Sequence, residues 1–125
     1  MDFDEMYEKA ISILNPRKIA RGTYAGQVAA VILTDRGNFY CGVNIDAPCS
    51  VGFCAEHGAI GAMVMAGETR IVKMVAVDSE KKVIPPCGRC REFISQINDE
   101  NRACQVLLDN GRIAAIGELL PDPWN

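Results

Sequence analysis

The chain carries no cluster of basic residues, no apolar run long enough to cross a bilayer, no internal repeat and no low-complexity linker. Proteins that track a phosphate backbone need clustered Lys and Arg. Here 13 basic residues are outnumbered by 16 acidic ones, for a net charge of −3, so extended nucleic acid is not an expected partner. A membrane-spanning helix needs about 20 consecutive apolar residues, so no membrane association is expected. The first segment is acidic and amphipathic, unlike an export signal, and the expectation is a cytoplasmic protein. Histidine occurs once, as His57, and only one Cys-x-x-Cys is present. A zinc ribbon, which needs two such pairs, is therefore excluded. With 49% hydrophobic and 23% charged residues, the composition is that of a folded globule rather than a disordered chain. Without a linker, residues 1–125 read as a single domain, large enough to bury roughly two-thirds of its unfolded surface.

Six cysteines are present. In a chain with no export signal they read as thiols and metal ligands before disulfides. Cys54, Cys87 and Cys90 have the spacing of ligands. Cys41, beside Tyr40, and Cys104, before Gln105-Val106-Leu107, lie in strand-like apolar contexts and are expected to be small buried hydrophobes. Cys49 falls in a loop between Pro48 and Ser50.

Phe3, Met6, Tyr7, Ala10, Ile11 and Leu14 recur with helical spacing. Asp2 and Glu5 form a capping pair for that helix, and Pro16 stops it after Asn15. Val28 to Leu33 and Phe39 to Val43 flank Asp35-Arg36-Gly37, the pattern of a hairpin. A buried helix is expected from Cys54 to Met65, stopped at Gly67, then a β-branched strand from Ile71 to Val77. A further helix starts at Cys87. Cys104 to Leu108 and Arg112 to Ala115 flank a second hairpin turn, Asp109-Asn110-Gly111, and Glu118 to Leu120 form a last helical turn. The order α-β-β-α-β-α-β-β predicts an α/β fold, a three-layer α/β/α sandwich around a five-stranded mixed sheet.

Cys87 and Cys90 lie three apart at a helix start, on one face, so both sulfurs can reach one ion. Cys54 begins the other helix. Both helix N-termini then point at the metal, and their partial positive charge favours thiolates. Three protein ligands leave a tetrahedral Zn²⁺ with one open position, the arrangement of a catalytic site. Water held there has its pKa lowered to about 7. Glu56, two residues after Cys54, is too close along the chain to be an obvious fourth ligand, and can lean over the open position as a proton carrier. Three thiolates leave the cluster negative. Arg89, between two ligands, is expected to offset that charge, with Arg91 in reserve. His57 is expected to pack or hydrogen-bond, pointing elsewhere on its helix, rather than to close the site as a fourth ligand. A thiol redox motif gives no role to Cys54-Ala55-Glu56 or to Pro85-Pro86.

At Cys54-Ala55-Glu56 and Pro86-Cys87-Gly88-Arg89-Cys90 the chain carries the signature of zinc-dependent base and nucleoside deaminases. It resembles the cytidine deaminase family of small zinc enzymes. The resemblance runs from Tyr24-Ala25-Gly26-Gln27-Val28-Ala29-Ala30, through Cys41-Gly42-Val43-Asn44, to Leu119-Leu120-Pro121. It implies hydrolytic deamination of a cytosine nucleoside to the uracil form with release of ammonia. It further implies that Asn44 bonds the sugar, that the Ala55 N–H holds the pyrimidine carbonyl, and that four copies assemble with sites formed across subunits. The family's Asn-x-Glu sugar motif is here Asn44-Ile45-Asp46, and His57 stands where the family often places Arg. The aromatic residue that usually precedes the family's Val-Gly-Ala-Ala stretch has no clean equivalent, with Ala25 near that point and Tyr24 only adjacent. Pro86 to Arg91 and Trp124 look closer to blasticidin S deaminase, which acts on a cytosine nucleoside antibiotic. Trp124 would cover a cleft mouth, its own or a neighbour's, or pack between subunits. The reading from a different class is a zinc-stabilised binding protein without activity.

Overall fold

A computed structural model describes residues 1–125. The first helix, α1 (Phe3–Ile13), begins where Asp2 accepts the Glu5 N–H at 2.8 Å, the side-chain cap expected of Asp at that position. Leu14 already leaves helical geometry, so the helix ends at Ile13, two residues short of the expected stop after Asn15. Asn15 then donates its N–H to the Gly26 carbonyl at 3.1 Å, which turns the chain onto the sheet.

Seven strands form that sheet: β1 (Arg17–Ala20), β2 (Thr23–Thr34), β3 (Phe39–Asp46), β4 (Ile71–Val77), β5 (Val83–Ile84), β6 (Gln105–Leu107) and β7 (Ile113–Ala115). The expected count of five is corrected to seven, but its five members form the backbone of the sheet in the order β3-β2-β4-β6-β7. β1 shares the β4-facing edge of β2 at its far end, and β5 shares the β6-facing edge of β4. Only β4 and β6 run parallel, so the sheet is mixed. β2 is longer than expected because a bulge between Ala25 and Ala29 lets it continue past Val28. Gly26 makes that bulge possible, with φ +78° and the Asn15 carbonyl where a Cβ would stand.

Alternation along β2 builds both outer layers. Ala29, Val31 and Leu33 face α1, packing with Met6, Ala10, Val75 and Val77. Ile32 faces the other way, onto α2 (Ala55–Met65) and α3 (Gly88–Ile97), with Ile60, Met63, Met74, Ile94 and Val106. Each of these fully buried side chains contributes roughly 1.5–3 kcal/mol relative to exposure. Ile116, on the one-turn helix α4 (Ile116–Leu119), closes the second core. Cys104 is buried as expected, and burial pushes its thiol up to about 12. Cys41 is only half-buried, a departure from expectation, because its strand lies at the sheet's edge.

Far from the cysteine pair, Glu68 ties the β2–β3 hairpin to the end of α2. It is 5% exposed and accepts from the Tyr40 hydroxyl and from Asn38 Nδ2. The Thr34 hydroxyl, then Tyr40 and Asn38, hold its carboxyl below the ordinary glutamate range against the effect of burial. A depressed carboxylate pKa stabilises the fold above the unfolded value of about 4.3 and loses that contribution as pH falls through the folded value. Glu68→Gln is therefore expected to lower the melting temperature at pH 7, with the gap from wild type closing in melts below about pH 4. A gap that stays constant with pH would contradict this role.

Candidate active site

Two helix starts meet at one end of the sheet. Cys54 is the N-cap residue of α2 and Cys87 that of α3, both in extended backbone, and Cys90 is buried in the first turn of α3. Cys87 Sγ stands 3.5 Å from Cys54 Sγ and 3.5 Å from Cys90 Sγ. Sulfurs around a tetrahedral zinc, with bonds of about 2.3 Å, stand about 3.8 Å apart. Both separations from Cys87 are thus close to that spacing, and Cys54 and Cys90 lie within 4.8 Å of one another. Soft thiol donors suit zinc, and Glu56 beside them adds a carboxylate that is not needed to complete the set.

Local electrostatics follow from this crowding. Burial alone would raise the Cys87 thiol, but the Cys90 N–H, the neighbouring thiols and the Arg89 N–H outweigh it and pull it down. The donors at the α3 N-terminus thus favour the thiolate. Cys54 and Cys90 are pushed up, in both cases first by burial and then by the negative groups around them. Glu56 is 4% exposed, and burial is the main cause of a carboxyl raised above its ordinary range. A cation placed among such groups reverses that balance.

A cleft of about 650 Å³ opens beside the thiols. Its lining includes Cys54, Ala55, Glu56, Cys87 and Arg89, together with Asn44 and Asp46 from β3. Ala55, first residue of α2, presents an N–H with no intrahelical partner. Asn44 is more engaged than expected: its Oδ1 accepts the Val28 N–H at 2.8 Å and its Nδ2 donates to Gln27 Oε1 at 2.9 Å. It holds the β2 bulge in shape and keeps one amide hydrogen free. Asp46 sits exposed at the cleft rim. Arg89 is exposed and lines the cleft.

His57 does not point elsewhere. Its Nδ1 lies 3.6 Å from Cys90 Sγ, and its ring stacks on Phe93 at 4.7 Å and toward Phe53 at 6.4 Å. With Cys54 and Cys90 it forms a second group whose ligand atoms lie within 4.8 Å of one another. Burial, followed by the Arg89 charge, lowers its pKa and so favours the neutral imidazole. The signal was available, since Cys54 and His57 are three apart and share a helix face just as Cys87 and Cys90 do. Val28 and Pro85, with Phe53 and Ile84, which no motif singles out, complete the apolar walls. Trp124 does not line the cleft of its own chain. It is 82% exposed, with its N–H donated to Glu92 Oε1 at 2.7 Å on the outer side of α3. Cys49 is exposed and outside the lining, in left-handed backbone at φ 61°.

Residues 5–108 match the family model of the cytidine and deoxycytidylate deaminase zinc-binding region. The chain belongs to this deaminase family. It is similar to the cytidine deaminase of Mycobacterium tuberculosis, 31% identical over 116 residues that cover 88% of this chain and 84% of that protein. It is also similar to the blasticidin-S deaminase of Bacillus cereus, 37% identical over 106 residues, covering 75% of this chain and 74% of the relative. A crystal structure of a mutant M. tuberculosis cytidine deaminase superposes with a TM-score of 0.85 at 25% identity, covering 100% of this chain and 99% of the other. The three-layer deaminase fold and its zinc-binding region are therefore those of this chain.

Proposed function

We propose that this deaminase-family chain hydrolyses the exocyclic amine of a cytosine nucleoside of the cytidine or deoxycytidine type, giving the uracil form and ammonia. The observation that carries the reading is the meeting of three thiols at two helix N-termini, Cys87 Sγ 3.5 Å from each of the other two, with one buried carboxylate in the same cleft. Cys54, Cys87 and Cys90 would hold the zinc, which would supply acidification of water to near neutral pH. Glu56 takes a proton at its carboxylate from the water that adds to the carbon bearing the amine, then delivers protons to the ring nitrogen and to the departing ammonia. A carboxyl raised by burial is suited to both accepting and giving. The Ala55 N–H donates to the pyrimidine carbonyl oxygen, at a helix start where partial positive charge favours an oxygen acceptor. The free amide hydrogen of Asn44 and the Asp46 carboxylate meet the sugar hydroxyls at the rim. Val28, Ile84 and Pro85 exclude water from the ring.

His57 serves the thiolates rather than the substrate: in the tautomer with its hydrogen on Nδ1 it donates to Cys90 Sγ and stabilises negative charge there, and Arg89 adds a screening charge at the mouth. Likeness to the B. cereus blasticidin-S deaminase supports a second substrate, a cytosine nucleoside antibiotic of that kind, which presents the same reacting ring. Ammonia release from zinc-loaded protein with cytidine, deoxycytidine and blasticidin S separates these substrates. Release from none of a broad nucleoside panel would leave the zinc-stabilised binding protein as the reading.

The protein is further read as cytoplasmic, since all six cysteines are free and thiol ligands persist where thiols stay reduced. Assembly is supported by α2. Apart from Glu56 and His57 it is built of Ala, Gly, Ile, Met and Val, and it leaves Val64 and Met65 46% and 88% exposed. A helix apolar on all sides needs a second surface to bury it, and copies of this chain, as a homotetramer, supply it. Trp124, exposed on α3, reaches a neighbour's cleft mouth or packs in that interface. Sedimentation should show the tetramer, and Met65→Glu should shift it to smaller species. An unchanged assembly in that variant would remove α2 from the interface.

A further inference from the structure

Between β5 and α3 the chain runs Ile84-Pro85-Pro86-Cys87. Two successive prolines have no N–H to donate, so this stretch can be anchored there only through its carbonyls. Arg91 provides that anchor. Its Nε donates to the Pro86 carbonyl at 2.8 Å and its Nη1 to the Leu119 carbonyl at 3.0 Å. Its own N–H donates to the Cys87 carbonyl at 3.0 Å. One residue, next to Cys90, thus grips the peptide before Cys87 and the end of α4. Guanidinium donors lie in a rigid plane, so the two carbonyls are held at a set separation as well as hydrogen-bonded.

Cys87 has particular need of such a hold. Cys90 is enclosed by the core, whereas Cys87 is exposed and precedes the helix. Its sulfur must nevertheless stand 3.5 Å from each of two others. No wall of side chains fixes it there, so the backbone must.

We infer that Arg91 is a positioning residue, which sets the place of Cys87 Sγ against Cys54 and Cys90 by clamping the Pro86 carbonyl to the Leu119 carbonyl. The inference rests on the proposed reading of the three thiols as ligands. It gives Arg91 a role beyond that of a reserve charge, because Nε and Nη1 are both committed to carbonyls. Arg102 offers an internal control. It holds the same C-terminal segment, through the Leu120 carbonyl at 3.2 Å and the Gly117 carbonyl at 3.5 Å, without touching Pro86.

The test uses the full-length chain loaded with zinc or with cobalt. Zinc release to an excess of a chromophoric chelator is timed for wild type, Arg91→Gln, Arg91→Lys and Arg102→Gln. Groups that orient metal ligands typically cost about 10–100-fold in metal affinity when removed. Arg91→Gln should release zinc about tenfold faster or more, and its cobalt–thiolate bands should shift. Arg102→Gln should keep the wild-type release rate and spectrum even where its melting temperature falls. Arg91→Lys keeps the charge but cannot span both carbonyls with a planar fork. It should also release zinc faster than wild type, which keeps the test decisive if the Gln variant does not fold. Wild-type release and spectra in the Arg91 variants would overturn the role, as would equal acceleration in Arg102→Gln. A wild-type chain that binds neither metal would overturn the ligand assignment itself, and this role with it.

Discussion

Glu56→Gln should lose most of its turnover while keeping its zinc. The amide has the size and shape of the carboxylate, and the side chain is 4% exposed, so the cleft has no reason to rearrange. What disappears is the capacity to accept a proton from water and deliver it to ring nitrogen and ammonia. Loss of a positioned acid–base group costs about 10²–10⁴-fold, and here one group serves every proton transfer, so the upper part of that range is expected. The Michaelis constant should change far less than kcat, because the amide still fills its place beside the bound ring. Steady-state ammonia release together with metal content per chain checks both halves. Turnover above about a tenth of wild type, or a variant depleted of zinc, would remove Glu56 from the role of proton carrier.

Much of this site is legible in the sequence, because its parts obey local spacing rules. Cys87 and Cys90 share a face by helix geometry, and Cys54 precedes an apolar helix that needs an N-cap residue. The five main strands announced themselves through β-branched runs and turn residues. β1 and β5 did not. Every residue of Arg17–Ala20 is exposed, so it has no burial pattern to read, and Val83–Ile84 is two residues long. For His57 the apolar pattern of α2 carries no phase, and its spacing of three from Cys54 is the one signal that it turns toward the thiols. Asn44 was read through its resemblance to a sugar-binding position, yet its partners Gln27 and Val28 depend on a bulge that only the strand register reveals. Trp124 was a question of long-range placement, which follows from a single bond to Glu92 that sequence spacing does not encode.

Gly42→Ala should disturb the site from a position that never touches it. Gly42 lies on β3 opposite Ala30, facing α2. A Cβ there would fall inside van der Waals contact of the Ala55 carbonyl, 2.5 Å from the Ala59 nitrogen and 3.1 Å from the Gly58 carbonyl carbon. All three are backbone atoms of one helix, so no flexible side chain can yield. The helix itself must lift. Overpacking of this kind costs about 1–3 kcal/mol and sometimes more. At about 4 °C or more per kcal/mol for a domain near this size, the melting temperature should fall by on the order of 10 °C. The N-terminal end of α2 carries Cys54, Ala55 and Glu56, whereas Cys87 and Cys90 ride on α3. Lifting one helix and not the other separates sulfurs now 3.5 Å apart. Zinc affinity should therefore fall with stability, and the zinc that remains should support less turnover because Glu56 moves with the helix. Melting curves and chelator competition on the same preparation measure the two effects. A Gly42→Ala protein with wild-type melting and wild-type zinc retention would show that β3 and α2 do not press together at this glycine, and that the thiol geometry is set from elsewhere.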